Sequence, residues 1–387
     1  MSSLCEKNDD KIINSWEELN IKNNLLRGIY SYGYENPSPI QKRGIQPLIS
    51  NNDVIAQAQS GTGKTGCFAI GALQIIDENI NTTQAIIISP TRELSIQTKR
   101  VIDSIGTMMS NLKTQLLVGG TSMDEDIKNL KSNIPHIIIG CPGRIHDMMR
   151  RKFINTSQCK IIVIDEADEL LSQGFKEQIY DIFQYLPKSI QVALFSATLP
   201  KDIFIMTEKF MRDPIKILVK TEQLTLEGID QYYVALEDDN QKYDALKDIY
   251  GSISVSQCII YCNSINRVQY LYSAMKEDNF AVCQIHSNMD KKERTQNYNE
   301  FISGNTRVLI STNLTARGID VQQVSTVINF DIPKNVHTYL HRIGRSGRWG
   351  RKGMAINFIT KYDVSYVREI EQYYSTEIKE LPANVIQ

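Results

Sequence analysis

Short, wholly apolar runs alternate with longer stretches of helical character, and this alternation restricts the fold more than any other feature of the chain. Val54-Ile55-Ala56, Ala85 to Ser89, His136 to Ile139, Ile161 to Ile164 and Val192 to Phe195 form one series. Cys258 to Tyr261, Ala281 to Ile285, Val308 to Ile310, Val327 to Phe330 and Met354 to Ile359 form a second. Strands buried on both faces read as continuous apolar runs, and helices between them act as crossovers that keep the strands parallel. The pattern predicts an α/β chain with two parallel-sheet halves of similar size. A length of 387 residues agrees, because a single core rarely grows that large. Lys220 to Gly228 is polar and lacks strand periodicity, so it reads as a linker. The expected division is an N-terminal extension over 1–36, a first domain over 37–219, a linker over 220–229 and a second domain over 230–387. No literal repeat relates the halves, although the same patterns recur in the same order.

Charge and cysteine usage narrow the functional classes. With 43 basic and 44 acidic side chains the formal charge is -1, so no bulk field recruits nucleic acid or an anionic membrane. Any polyanion must be gripped locally. The seven cysteines contain no CxxC pair and several lie in apolar runs, which points to reduced, buried thiols of an intracellular protein. Glu6, Asp9 and Asp10 give the N-terminus neither the basic nor the apolar region of a signal peptide, and no apolar run approaches a membrane span.

The residues that carry chemistry begin after the first apolar run. Ala58-Gln59-Ser60-Gly61-Thr62-Gly63-Lys64-Thr65-Gly66 follows a strand and precedes the helix-like run Cys67 to Ile76, the context a phosphate-binding loop requires. Glycines let backbone N–H groups approach phosphates, and the helix start adds a partial positive charge. Lys64 reaches the terminal phosphates and the Thr65 hydroxyl can hold Mg²⁺. Ala58 stands where the general pattern has its first glycine. A second motif, Asp165-Glu166-Ala167-Asp168, leaves the apolar run Ile161 to Ile164 at the edge where open α/β sheets place their ligands. Asp165 is expected to hold Mg²⁺, and Glu166 to orient and deprotonate an attacking water.

With these motifs in place, the sequence resembles the DEAD-box RNA helicases from about Trp16 to Val385. The resemblance implies two RecA-like parallel-sheet domains joined by a short flexible linker, with ATP and Mg²⁺ as cofactors and single-stranded RNA bound without regard to sequence. Tyr34 and Pro37-Ser38-Pro39-Ile40-Gln41 look like the adenine-reading element, with Gln41 able to pair with the base and Tyr34 to stack on it. Pro90-Thr91-Arg92, Gly119-Gly120-Thr121 and Cys141-Pro142-Gly143-Arg144 look like RNA-backbone motifs, where arginines and helix-start amides suit phosphate oxygens. Ser196-Ala197-Thr198 looks like the element that couples ATP state to RNA state through hydroxyls near Asp168.

In the second half, His341-Arg342-Ile343-Gly344-Arg345-Ser346-Gly347-Arg348 is the strongest signal. By the resemblance, Arg345 and Arg348 act as arginine fingers on the γ-phosphate and His341 takes part in coupling. The two arginines are three apart and share a face if that stretch is helical, although the intervening glycines argue against a plain helix. Asp320 is placed to accept from the ATP ribose, and Arg294, Thr312 and Arg317 to contact RNA. Several positions depart from the family pattern: Asn36, Cys141, Ser287-Asn288, Lys291, Asn313 and Trp349.

The implied activity is an RNA-stimulated ATPase that closes two lobes on RNA and separates short duplexes. Leu25 to Tyr30, Ile55 to Gln59, Leu224 to Ile229 and Ala316 to Val324 are most similar to the members that act in translation initiation, which implies a cytoplasmic monomer with an initiation scaffold as partner and no membrane. Gly174 to Tyr180 and Glu371 to Thr376 also resemble members of exon-junction and ribosome-biogenesis type, for which an RNA clamp and a nuclear location are the alternative. A DNA translocase on the same fold is the remaining rival.

Overall fold

The computed structural model describes residues 12–59, 61–171, 174–207, 209–218, 228–252, 257–316, 324–346 and 352–382. The chain divides into two compact units, Met1–Val219 and Lys220–Gln387. Most of the expected linker lies outside the described residues.

In the first unit seven strands form one sheet: β1 (Val54–Gln57), β2 (Ala85–Ile88), β3 (Thr114–Leu117), β4 (Ile137–Gly140), β5 (Ile161–Asp165), β6 (Gln191–Ser196) and β7 (Ile215–Ile217). They lie in the order β3-β4-β2-β5-β6-β1-β7, and every neighbouring pair is parallel. Successive side chains of a strand point to opposite faces, and here both faces are covered. Ala85 and Ile87 of β2 enter one core with Ile161 and Val163 of β5. Ile86 and Ile88 enter a second core with Ile162 and Ile164.

The segment expected to be an N-terminal extension is part of the first core. Ile13, Trp16, Leu19, Leu25 and Ile29 are buried in it. Helix α1 (Asn23–Ser31) places Leu25 and Ile29 four residues apart, so they share one face. Helix α2 (Pro39–Ile49) begins with proline at its first position, which suits a helix start.

The second unit repeats the plan with β8 (Ile229–Ala235), β9 (Gln257–Tyr261), β10 (Val282–Ile285), β11 (Val308–Ser311), β12 (Val324–Asn329), β13 (Gly353–Ile359) and β14 (Lys379–Glu380). Their order is β10-β11-β9-β12-β13-β8-β14, which is the first order with seven added to each number. Tyr261 and Ile259 of β9 face one core, and Cys258 and Ile260 the other. The two halves therefore share a topology without sharing a sequence.

Four strands escaped the apolar-run pattern: β3, β7, β8 and β14. Three of them are outer strands of their sheets. Strands β3 and β8 are only partly buried along their length, so a continuous apolar run does not mark them. Among the described residues the cysteines are free thiols, and no helix is long and apolar enough to cross a membrane.

Candidate functional site

The order β5-β6-β1 brings three sequence motifs to adjacent strand ends. Register pairs Asp165 with Phe195 and Gln57 with Ser196. The phosphate-type loop, the acidic motif and the Ser-Ala-Thr element, far apart in sequence, thus leave the same C-terminal edge side by side.

After β1 the chain turns into helix α3 (Lys64–Ile75), whose first amide N–H groups have no partner within the helix and face the loop. Gly61 has φ 82° and Gly63 φ 100°, a left-handed backbone that glycine adopts without strain. The loop closes on itself: the Lys64 ammonium donates to the Ala58 carbonyl at 2.7 Å and the Thr62 hydroxyl to the Gln59 carbonyl at 2.7 Å. A bound phosphate would compete with Ala58 for that ammonium. The loop is also tied to the end of β6, since the Ala58 N–H donates to the Ser196 carbonyl at 3.1 Å and Gln57 Nε2 to the Ala197 carbonyl at 3.3 Å. Ser60 lies outside the described residues.

Tyr34 and Gln41 abut this loop. A Cβ at Gly66 would stand 2.7 Å from both Gln41 Nε2 and Tyr34 Cε2, so a larger residue there would push the element aside. Gln41 Nε2 donates to the Gly63 carbonyl at 3.2 Å, while its Oε1 accepts from the Ser38 N–H at 2.8 Å. An amide offers two donors and two acceptor sites, so one of each is left over in this count for a base. The buried Trp16 stacks on Tyr34 at 6.3 Å and donates its indole N–H to the Tyr34 carbonyl at 3.0 Å. It anchors the element from behind.

The acidic motif is buried and strained. Asp165 is 2% exposed; burial, together with the Glu166 charge, holds its carboxyl well above the usual carboxylate range against the opposing pull of Lys64. Glu166 has φ 51° and ψ 53°, a left-handed conformation that is uncommon outside glycine, and non-glycine residues held there cluster at functional sites. Both oxygens of Asp168 are engaged by the Ser-Ala-Thr element: Ser196 Oγ donates to Oδ1 at 2.8 Å and Thr198 Oγ1 to Oδ2 at 2.6 Å. Buried oxygen donors beside a loop lysine fit the needs of a nucleotide and of a hard cation such as Mg²⁺.

The other half of the same edge, β3-β4-β2, holds the three motifs expected to meet RNA. Buried Pro90 leads to Thr91, which caps helix α4 (Arg92–Ile105) by accepting from the Leu94 N–H at 3.3 Å, leaving Arg92 half-buried in the first turn. Gly119 and Gly120 form an exposed turn after β3, with Gly120 at φ 95° and open space where a Gly119 Cβ would sit. Helix α5 (Met123–Ser132) follows. Helix α6 (Pro142–Arg150) starts directly after Cys141. Arg144 was expected to meet a phosphate, yet its guanidinium is committed internally. Nη1 donates to Asp126 Oδ2 and, at 3.4 Å, to Thr121 Oγ1, while Nη2 donates to the Thr121 carbonyl at 3.1 Å.

In the second unit the same outer half of the edge, β10-β11-β9, carries His286, Thr312 and Asn263 just beyond the strands. Thr312 caps a single turn over Asn313–Thr315. Arg294 is half-buried in the first turn of helix α7 (Lys291–Ile302). Helix α8 (Val336–Ile343) carries His341 and Arg342 in its last turn. Arg345 lies beyond that helix, past Gly344, in a turn where its Nε donates to the His341 carbonyl at 3.2 Å. The helix stops before Arg345, in keeping with the glycines that argue against a plain helix through this stretch. Arg317, Asp320 and Arg348 lie outside the described residues.

Sequence reasoning missed two buried polar assemblies. Asp126 lies in the first turn of α5 beside Asp124 and Glu125, and nothing in the sequence sets it apart from them as the partner of Arg144. Arg342 is fully buried and held by neutral groups. Nε donates to Asn313 Oδ1 at 2.8 Å, Nη2 to Asn263 Oδ1 at 2.8 Å, and Nη1 to Asn329 Oδ1 at 3.1 Å and the Asp331 carbonyl at 2.7 Å. Burial pushes its guanidinium down to about 10. Asn329 in turn donates to Asn357 Oδ1 at 2.8 Å, its register partner on β13. Asparagines in buried strands, one at the end of β12 and one within the apolar run of β13, were the available signal, since an interior amide demands partners.

Known proteins share this architecture. The model of the DEAD/DEAH box helicases matches residues 38–205, and that of the helicase conserved C-terminal domain matches residues 241–350. The ATP-dependent RNA helicase eIF4A of Meyerozyma guilliermondii is 53% identical over 384 residues, covering 99% of this chain and 96% of that protein. The ATP-dependent RNA helicase eIF4A of Pyricularia oryzae is 53% identical over 380 residues, covering 98% and 96%. The solved structure of S. cerevisiae Dbp5 bound to RNA and ADP BeF3 is 34% identical, with a TM-score of 0.91 and 96% of each chain covered. Full-length identity of this order, on the same strand plan and motifs, places the chain in the DEAD/DEAH box helicase family.

Proposed function

We propose that the protein is an ATP-dependent RNA helicase that binds single-stranded RNA without sequence preference and separates short duplexes as ATP draws its two units together. One observation carries this reading: the edge β5-β6-β1 holds a phosphate-type loop, a buried acidic pair and the Asp168-Ser196-Thr198 hydrogen bonds in one place. Lys64 and the α3 amides bind the phosphates, and Gln41 and Tyr34 receive the adenine. Glu166 orients and deprotonates the attacking water. Thr65 and Asp165 supply oxygen ligands for Mg²⁺, which would neutralise charge on the phosphates. From the second unit, Arg345 and Arg348 serve as arginine fingers and Asp320 meets the ribose. The pair Ser196 and Thr198, through Asp168, with His341, relays between nucleotide and RNA.

RNA binds along the β3-β4-β2 edge through Pro90, Thr91, Arg92, Gly119 and Gly120, and in the second unit through Arg294, Thr312 and Arg317. Similarity to eIF4A supports a role in translation initiation, with an initiation scaffold as partner and the cytoplasm as the site of action. The test is ATP turnover with single-stranded RNA, and then DNA, as the only stimulant. Stimulation by RNA alone is expected, and Glu166→Gln should lower kcat by roughly 10²–10⁴-fold while ATP still binds. Turnover in Glu166→Gln equal to that of the unaltered protein would overturn the assignment.

A further inference from the structure

The turn that presents Gly119 and Gly120 is built around an internal ion pair. The Thr121 hydroxyl lies 3.0 Å from the Val118 carbonyl, closing the turn, and 3.0 Å from Asp126 Oδ2. Arg144 grips the same carboxylate oxygen, and its second amino group holds the Thr121 carbonyl. Gln115 Nε2, on β3, donates to the Asp126 carbonyl at 3.1 Å. The ion pair is shielded, with side chains 11% and 8% exposed for Arg144 and Asp126. Burial raises the Asp126 carboxyl although Thr121 and Arg144 pull it down. A guanidinium spent in this way loses its own hydrogen bonds if it turns to an RNA phosphate, and it would strand a buried carboxylate.

We propose that Arg144 and Asp126 are positioning residues. They clamp the Gly119-Gly120 turn to the start of α6, so that the RNA backbone is taken by exposed N–H groups of that turn and of neighbouring helix starts instead of by the Arg144 side chain. The inference rests on the reading that this edge binds RNA. Two features of the turn support amide recognition. Gly119 is exposed with open space at its Cβ position, which serves no packing need within the chain but admits close approach of a ligand. Gly120, at φ 95°, turns the backbone in a way L side chains resist.

The direct and the positioning roles predict opposite signs for one substitution. Removing the internal competitor with Asp126→Asn frees the guanidinium. If Arg144 grips phosphate, RNA binding tightens; if the pair positions the turn, binding weakens. The experiment measures the Kd of a fluorescent oligouridylate for the full chain with a non-hydrolysable ATP analogue, across a potassium chloride series. Arg144→Ala, Asp126→Asn, their combination, Thr121→Val and Thr121→Ser are compared, with Tm recorded for each.

Asp126→Asn and Arg144→Ala are expected to weaken binding by similar factors, and the combination by no more than either alone, because they act as one unit. The slope of log Kd against log salt should stay unchanged. Thr121→Val should reproduce the loss and Thr121→Ser should restore it. The KM for RNA should rise while kcat at saturating RNA is retained, a split that general loss of folding does not give. Tighter binding by Asp126→Asn, or a salt slope lowered by about 0.7 in Arg144→Ala, as expected for one lost phosphate on a single strand, overturns the inference. Unchanged binding in all variants overturns it as well. Failure of the unaltered protein to bind the RNA overturns the RNA reading of the edge itself, a different result. If the pair variants do not fold, the Thr121 comparison decides alone.

Discussion

The two sheets follow one strand order, yet the same stretch of edge carries opposite charge in each. At β5-β6-β1 the first unit gathers buried acids, Asp165, Glu166 and Asp168, with Ser196 and Thr198 donating to the last. At the equivalent β12-β13-β8 the second unit has amides: Asn329 accepts from the buried guanidinium of Arg342 and donates to Asn357. Topology supplies positions, and the residues along the sheet edge supply the chemistry. The energetics differ too. The first edge is costly to fold, with a carboxyl displaced by burial and a non-glycine residue at φ 51°. The second also buries a charge at a cost, since burial lowers the Arg342 guanidinium to about 10, but there the charge donates to neutral acceptors.

The comparison breaks most sharply at Lys64. Lys64→Ala should reduce ATP binding below detection in a fluorescent-nucleotide titration without lowering Tm; retained affinity would separate the loop from nucleotide binding. Next in size is Arg342→Met, which leaves three amide oxygens and a carbonyl without their donor. It should cost about 1–3 kcal/mol in urea unfolding of the second unit's transition, the scale for leaving a buried acceptor unsatisfied.

Asp165→Asn should do the reverse in the first unit: raise Tm while abolishing turnover. The sign follows from linkage. A folded carboxyl raised above its unfolded value favours the folded state at low pH, and that advantage is lost as pH rises through the raised value. The Tm gain of Asp165→Asn, measured with a chelator present, should therefore grow as pH rises from acid toward neutral and then level off. A gain that shrinks with rising pH would contradict the burial argument. The smallest effect is Asn313→Asp, which gives Arg342 a charged acceptor in place of a neutral one. It should add about 1 kcal/mol, the margin of a charge-assisted hydrogen bond over a neutral one, read as a higher urea midpoint.

Much of this was legible before the fold was seen. Fully buried central strands announce themselves as apolar runs, and the phosphate-type loop declares its context through the strand before it and the helix after it. Outer strands such as β3 and β14 were not legible, because a strand with solvent on one side needs no apolar run. Arg144 shows the same limit at the site. Its place in Cys141-Pro142-Gly143-Arg144 marks a motif, but whether a guanidinium faces outward depends on Asp126, eighteen residues earlier. Trp16 marks where the resemblance begins, while its place behind Tyr34 is seen only in the fold.

By itself, then, the sequence determined the two α/β halves, the nucleotide loop and the acidic motif, because local periodicity and short-range spacing encode them. Tertiary structure alone decided that Asp168 takes both hydroxyls of the Ser-Ala-Thr element, that Arg342 is held by amides and that Arg144 turns inward. Those partners meet only through the strand order of a parallel sheet, which places residues far apart in the chain on neighbouring strand ends.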